Sequence, residues 1–154
     1  MDSSTSTLDP QAIAEHVRHG MLANDRATQG LGIAITAIGP GQATLEMTVR
    51  ADMLNGFDIC HGGFITTLAD SAFAFSCNAR NEMTVASGLS IDFLAPAREG
   101  DRLTAEATEV SLAGRTGVYD VNVRNQRGEV IAVFRGRSYC MKGKPTVPLD
   151  AAGR

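Results

Sequence analysis

The sequence predicts an α+β fold in which one long central helix is wrapped by a curved antiparallel sheet. Three observations carry this expectation. Residues 62–78 place apolar side chains at helical spacing on both faces of the turn pattern. Residues 84–139 break into strand-length runs separated by short turns. A length of 154 residues suits one domain, with room for a real core but not for two ordinary domains.

The elements follow in order. Residues 1–8 are polar and rich in Ser and Thr, so a disordered N-terminal segment is expected there. Asp9-Pro10 reads as an N-cap with proline at the first helical position, and Ile13, Val17 and Met21 recur at helical spacing. An amphipathic first helix ending before Gly30 is the expectation. Two strands then flank the turn Gly39-Pro40-Gly41: residues 32–38, and residues 43–50, where Leu45, Met47 and Val49 alternate with polar neighbours. Residues 55–58 have loop character.

After the long helix, runs at 84–94, 102–112, 116–123 and 129–139 are punctuated by Pro96, Ala113-Gly114 and Asn125-Gln126-Arg127-Gly128. Turns this short favour hairpins, hence an antiparallel meander. From Lys142 onward Pro145 and Pro148 interrupt a stretch without periodicity. The domain is therefore expected at 9–141 and a flexible C-terminal tail at 142–154.

Composition excludes several classes of function. A net charge of −3 and a pI of about 5.5 argue against a broad surface for nucleic acid. Basic residues do concentrate late in the chain, at Arg98, Arg102, Arg115, Arg135, Arg137, Lys142 and Lys144, enough for a local anion site. No stretch is long and apolar enough to span a bilayer, and the first residues lack a basic segment followed by an apolar run. A cytoplasmic protein without membrane contact is expected. Cys60, Cys77 and Cys140 lack CxxC spacing, which predicts reduced thiols, no metal and no cofactor.

The helix at 62–78 is unusual for its missing charges. On a wheel Phe64, Ile65, Leu68, Ala72 and Phe75 share the face expected to press on the sheet, and Gly63, Thr66, Asp70, Phe73, Ala74 and Cys77 lie opposite. Between Asp58 and Arg80 the one formally charged side chain is Asp70. A helix on a protein surface displays several charges, so both faces are expected to be covered, the second by another subunit. Gly62 and Gly63 open this helix, sacrificing propensity for close backbone approach. An amide there, of Gly62 or Gly63, is placed to polarise a carbonyl and stabilise an oxyanion. An isolated carboxylate on a doubly covered helix is costly unless it has a partner or a task.

Distance adds a constraint. Eight positions separate Gly62 from Asp70, roughly 12 Å along the axis at about 1.5 Å per residue. One carbonyl cannot meet both groups of one chain. Two such helices packed antiparallel across a dimer axis bring Asp70 of one subunit to Gly62 of the other.

Asn55-Gly56, Cys60-His61-Gly62-Gly63, Leu68-Ala69-Asp70, Ile91-Asp92-Phe93-Leu94, Thr116-Gly117-Val118-Tyr119-Asp120 and Phe134-Arg135-Gly136 together resemble the hotdog-fold thioesterases. The likeness is greatest to the branch acting on hydroxyphenylacetyl-CoA in bacterial phenylacetate degradation, and it spans residues 20–141. The resemblance implies a hotdog fold, homodimers and commonly homotetramers, and hydrolysis of (hydroxy)phenylacetyl-CoA or a related small aryl- or acyl-CoA. It implies that Gly62 N–H polarises the thioester carbonyl, that Asp70 of the neighbouring subunit is nucleophile or general base, that Asn55 holds water or the thioester oxygen, and that His61 orients the loop. Gly63 and Ser87 are expected beside the substrate, with Arg98, Arg115 and Thr116 as contacts for the CoA phosphates; Phe73 and Leu54 are candidate walls of the acyl pocket. Without the resemblance, Asn55-Gly56 is an ordinary turn signal and His61 a structural histidine. A Cys60-His61 nucleophilic pair carries little weight, because sequence neighbours on a loop rarely face one another. The competing readings are a non-catalytic acyl-CoA-binding or sensor module and a hotdog dehydratase or hydratase, for which His61 has the wrong neighbours.

Overall fold

The computed structural model describes residues 8–150; the expected disordered segment at 1–8 therefore lies outside them except for Leu8, as do the last four residues of the tail. Helix α1 runs Pro10–Asn24 and α2 Arg26–Gly30. The single helix expected here is divided at Asp25, whose carboxylate accepts from Thr28 N at 3.0 Å and from Thr28 Oγ1 at 2.7 Å. An Asp three residues before a Thr is a local N-cap, and it starts a new helix rather than continuing the old one.

Strands β1 (Ala34–Gly39) and β2 (Gln42–Thr48) form a hairpin, with Gly41 at φ 70° in the turn. Beyond a 3-10 turn at Ala51–Met53 comes helix α3, Gly62–Asn78, then β3 (Thr84–Phe93), β4 (Arg102–Ala113), β5 (Thr116–Arg124) and β6 (Val130–Cys140). The sheet has six strands in the order β1-β2-β4-β5-β6-β3, antiparallel throughout.

The meander expected from β3 to β6 holds only for β4-β5-β6. Strand β3 pairs with β6, from Thr84↔Cys140 to Phe93↔Ala132, and the segment after Pro96 carries the chain to β4 beside β2. A run ending at a proline shows where a strand stops but not which edge the next one joins. Among the described residues one edge of β3 has no strand partner, and along it Val85, Leu89 and Phe93 are exposed.

Helix α3 touches every strand. Leu68, Ala69, Ala72, Phe73 and Phe75 are buried against Leu45, Met47, Leu103, Tyr119, Val121 and Phe134 of the sheet. Phe73 departs from the wheel expectation: it is 1% exposed, with its ring 5.5 Å from Tyr119 and 5.9 Å from Phe134 by centroid. A Cβ on Gly136 would come within 2.9 Å of three Phe73 ring carbons. Gly136 thus provides the hollow in β6 that lets α3 sink into the sheet, and Phe73 is core and no wall of a pocket. Leu54 likewise packs on the core, in a bridge with Cys60.

Beyond Met141 the chain, expected as a flexible tail, runs along the domain. Lys144 O accepts from Met83 N at 2.8 Å, Val147 exchanges two bonds with the Asn81 amide, and Thr146 Oγ1 donates to Asn78 Oδ1 at 2.8 Å. The domain's contacts accordingly reach past residue 141.

Candidate active site

The start of α3 is shaped by the side chain that caps it. His61 is the N-cap residue, and its Nδ1 accepts from Gly63 N–H at 3.0 Å, so the neutral ring carries its proton on Nε2. The ring is exposed and meets Phe64 edge-on, with centroids 6.3 Å apart. Gly63's amide is thereby occupied. Gly62 N–H meets no acceptor among the described residues. Of the two amides that the sequence leaves open as oxyanion donors, the fold releases Gly62 alone.

A side chain at Gly62 has room only if the Phe93 ring moves: a Cβ there would stand 2.8 Å from Phe93 Cζ. The ring of Phe93, at the end of β3 and 51% exposed, lies over this helix start. Phe93 is within the resembling stretch, but its residue type carries no chemical signal that assigns it a place beside Gly62.

Asn55 belongs to the loop before the helix. Its Oδ1 accepts from Phe57 N at 2.9 Å and from Ile59 N at 3.4 Å, while Asn55 N donates to Ile59 O. The turn reading and the site reading coexist: the carbonyl oxygen organises the loop, and the Nδ2 donors have no partner among the described residues.

A cavity of ≈ 550 Å³ joins these groups. Asn55, Cys60, Gly62 and Phe93 line it, with the segment from Leu94 to Ala97. A second cavity of ≈ 660 Å³ lies on the other side of the helix start, between α2 and α3, walled by Ala27, Gly30, Leu31, Phe64 and Thr67 and reaching Gly63. The lining by α2 has no motif in the sequence; it exists only because α2 and α3 are brought together.

Asp70 sits eight residues along α3, half-buried. Among the described residues its carboxylate makes no hydrogen bond and no salt bridge, and burial raises its pKa above the ordinary Asp range. Among the described residues nothing charged stands beside it to hold the ionised form. Cys60 lines the first cavity, but burial pushes its thiol up to about 11, so it is a poor nucleophile near neutrality.

The remaining expected residues lie apart from this centre. Ser87 occupies a bulge in β3, its Oγ donating to Arg137 O at 3.2 Å. Arg98 directly follows Ala97 of the first cavity and is exposed, with no salt bridge among the described residues. Arg115 and Thr116 are in the β4–β5 turn, where Arg115 Nη1 donates to Cys140 O at 3.3 Å and Thr116 Oγ1 to Ala113 O at 3.1 Å. That turn borders the Cys77 end of α3, remote from Gly62 of the same chain. Arg135 is bound by Asp120 through two bonds of 2.7 and 2.8 Å on the outer face of the sheet.

No helix among the described residues is long and apolar enough to cross a membrane. Among them, too, no cluster of His, Cys, Asp or Glu is arranged to hold a metal ion.

Against this geometry the comparisons with known proteins are specific. Residues 57–132 match the model of the thioesterase superfamily. The acyl-coenzyme A thioesterase PaaI of Escherichia coli is 45% identical over 83% of this chain and 91% of its own. The structure of that protein, from the phenylacetic acid degradation operon, superposes with a TM-score of 0.86, covering 88% of this chain and 99% of the other at 43% identity. A mutant form of the phenylacetic acid degradation protein PaaI from Thermus thermophilus matches at TM-score 0.72 and 38% identity, over 75% of this chain and 98% of its own.

Proposed function

Because the chain belongs to the thioesterase superfamily and has its hotdog fold, we propose that it hydrolyses (hydroxy)phenylacetyl-CoA, or a related small aryl- or acyl-CoA, to the free acid and CoA. The observation that carries this reading is a pair of groups on α3 with no partner among the described residues: the Gly62 N–H and the Asp70 carboxylate.

The thioester oxygen accepts from Gly62 N–H, and the positive end of the α3 dipole adds to the stabilisation as charge builds on that oxygen. Asp70 comes from a second copy of the chain, since its own Gly62 is two turns away. The exposed strip of α3 and the open edge of β3, with Val85, Leu89 and Phe93, are the surfaces such a copy covers.

Two routes conserve atoms. Asp70 removes a proton from water as its oxygen adds to the carbonyl carbon; the C–S bond then breaks and the proton passes to the CoA thiolate. Alternatively an Asp70 oxygen adds first, CoA leaves, and water cleaves the mixed anhydride. Single turnover in heavy-oxygen water tests for the anhydride: label in the Asp70 carboxylate arises only from that route, with water attacking the Asp70 carboxyl carbon. Asn55 Nδ2 and His61 act by holding the water or the oxygen and by shaping the loop; Gly63 and, of the partner copy, Ser87 border the substrate, and Arg98, with Arg115 and Thr116 of the partner copy, contacts phosphates.

Release of free thiol from a panel of acyl-CoAs, with wild type beside Asp70→Asn and Asp70→Ala, tests the reading. Equal turnover in all three removes Asp70 from the mechanism. Acyl-CoA binding with no thiol release by the wild type replaces the enzyme with a binding module.

A further inference from the structure

The helix start carries an uncommitted amide with a cavity on each side. Gly62 faces the cavity toward β3, and its neighbour Gly63 faces the cavity toward α2. A thioester whose oxygen sits on Gly62 N–H has a planar carbon from which two arms diverge, one acyl and one pantetheine. Building on the thioesterase reading, we propose that the two arms are divided between these cavities: the acyl group enters the α2–α3 cavity, the pantetheine arm enters the α3–β3 cavity, and Ala27, Gly30 and Leu31 decide which acyl groups are accepted.

The chemistry of the walls sets the direction of this division. The α2–α3 cavity presents the Ala27 methyl, the Leu31 side chain and the Phe64 ring, with the His61 imidazole at its edge. Its one side-chain hydroxyl, Thr67, donates to Gly63 O at 2.9 Å, which leaves the oxygen only as an acceptor, while His61 Nε2–H is a donor because Nδ1 is taken by Gly63 N–H. Such a space takes an apolar body that carries at most a hydroxyl, which can donate to Thr67 or accept from His61. At ≈ 660 Å³ it holds an aromatic ring with room to spare.

The α3–β3 cavity is different. Asn55 supplies Nδ2 donors there because its Oδ1 is held by Phe57 N and Ile59 N. The wall continues through Leu94 and Pro96 to Ala97, and the next residue, Arg98, is exposed and makes no salt bridge among the described residues, though it lies in the field of Asp101. Donors for amide carbonyls, followed by a cation, suit an arm that carries two amides and ends in phosphates.

The cavity walls can be altered without disturbing the core. Ala27 is exposed, and a Cβ at Gly30 meets nothing within 4 Å, at a backbone conformation open to any residue. Leu94, 59% exposed, serves for the other side. The experiment measures kcat/KM by thiol release for phenylacetyl-CoA, acetyl-CoA and the N-acetylcysteamine thioester of phenylacetate, which lacks most of the pantetheine arm. Ala27→Phe and Gly30→Met are expected to lower the phenylacetyl-to-acetyl ratio about tenfold or more, and to act on the cysteamine thioester as on the CoA thioester. Leu94→Trp is expected to lower both CoA thioesters alike and to spare the cysteamine thioester. Equal losses for both acyl groups in the α2 variants, no loss in them, or an acyl-selective loss in Leu94→Trp overturns the division.

Calorimetry with a ketone analogue of phenylacetyl-CoA, set against free CoA, reads the same division without turnover. Selective weakening of the analogue by Ala27→Phe, in a protein that hydrolyses nothing, keeps the division and overturns the hydrolytic reading. No binding of the analogue by the wild type overturns both.

Discussion

Asp70 is half-buried and unpaired among the described residues, and both its reactivity and its cost follow from that. With the carboxyl pKa raised by burial, the base is lost at a higher pH than an ordinary aspartate would be. The acid limb of kcat/KM is therefore expected above the ordinary Asp range, and Asp70→Asn should lower turnover on the order of 100-fold or more and abolish that limb; rate against pH checks both. The stability effect has the opposite sense. A raised folded-state pKa means that the native protein binds this proton more readily than the unfolded chain, so its stabilising contribution is present below the unfolded pKa and is lost as pH rises through the folded one. Asp70→Asn should accordingly melt above the wild type at neutral pH, with the gap closing as pH falls toward 3.8, in a series of thermal melts. The lone charge of Asp70 and the glycine pair at Gly62-Gly63 are local facts that the sequence displays, and the resemblance singles out Gly62 of the pair. That a ring nitrogen of His61 takes the Gly63 amide and not that of Gly62 is visible only in the fold.

At the scale of the element, α3 is held at its depth by one hollow. Gly136→Ala drives a Cβ to 2.9 Å from the buried Phe73 ring, and overpacking of this kind costs about 1–3 kcal/mol. Urea unfolding should show that loss, and Phe73→Leu in the same background should recover part of it by making room. A second close approach ties the tail: a Cβ on Gly20 of α1 meets the Val147 side chain. Gly20→Ala should raise helix propensity by about 1 kcal/mol yet loosen this segment, seen as faster exchange of the Val147 amide, which Asn81 Oδ1 holds at 2.8 Å. The bounds of α3 match the sequence expectation, Gly62 to Asn78, because caps and periodicity are written locally. Phe73 fell on the wrong face because a wheel assigns two faces to a helix that a curved sheet encloses on more than one.

For the whole molecule, one subunit holds half of each proposed site. A charge on the open edge of β3, as in Leu89→Lys, should shift the protein toward monomer and reduce turnover in parallel, measured by sedimentation and thiol release over a concentration series. Mixed dimers give a sharper check. Gly62→Pro removes the amide at a helix position that accepts proline, and His61, at φ −60° and ψ 132°, already has the backbone of a residue preceding one; the exposed Phe93 ring must move aside. Inactive Gly62→Pro mixed with inactive Asp70→Asn should regain activity, toward one intact site per mixed dimer, once subunits exchange.

The sequence by itself determined the α+β class, the long helix with its Gly-Gly start and solitary carboxylate, and the strand-length runs, since periodicity, caps and turn residues act over a few positions. Only the tertiary structure decided that β3 lies beside β6 and not β4, that Phe73 belongs to the core, that His61 frees one amide, and that α2 closes a cavity against α3. Those features depend on which distant segments meet, and that is settled by how the apolar faces of the whole chain can be buried at once.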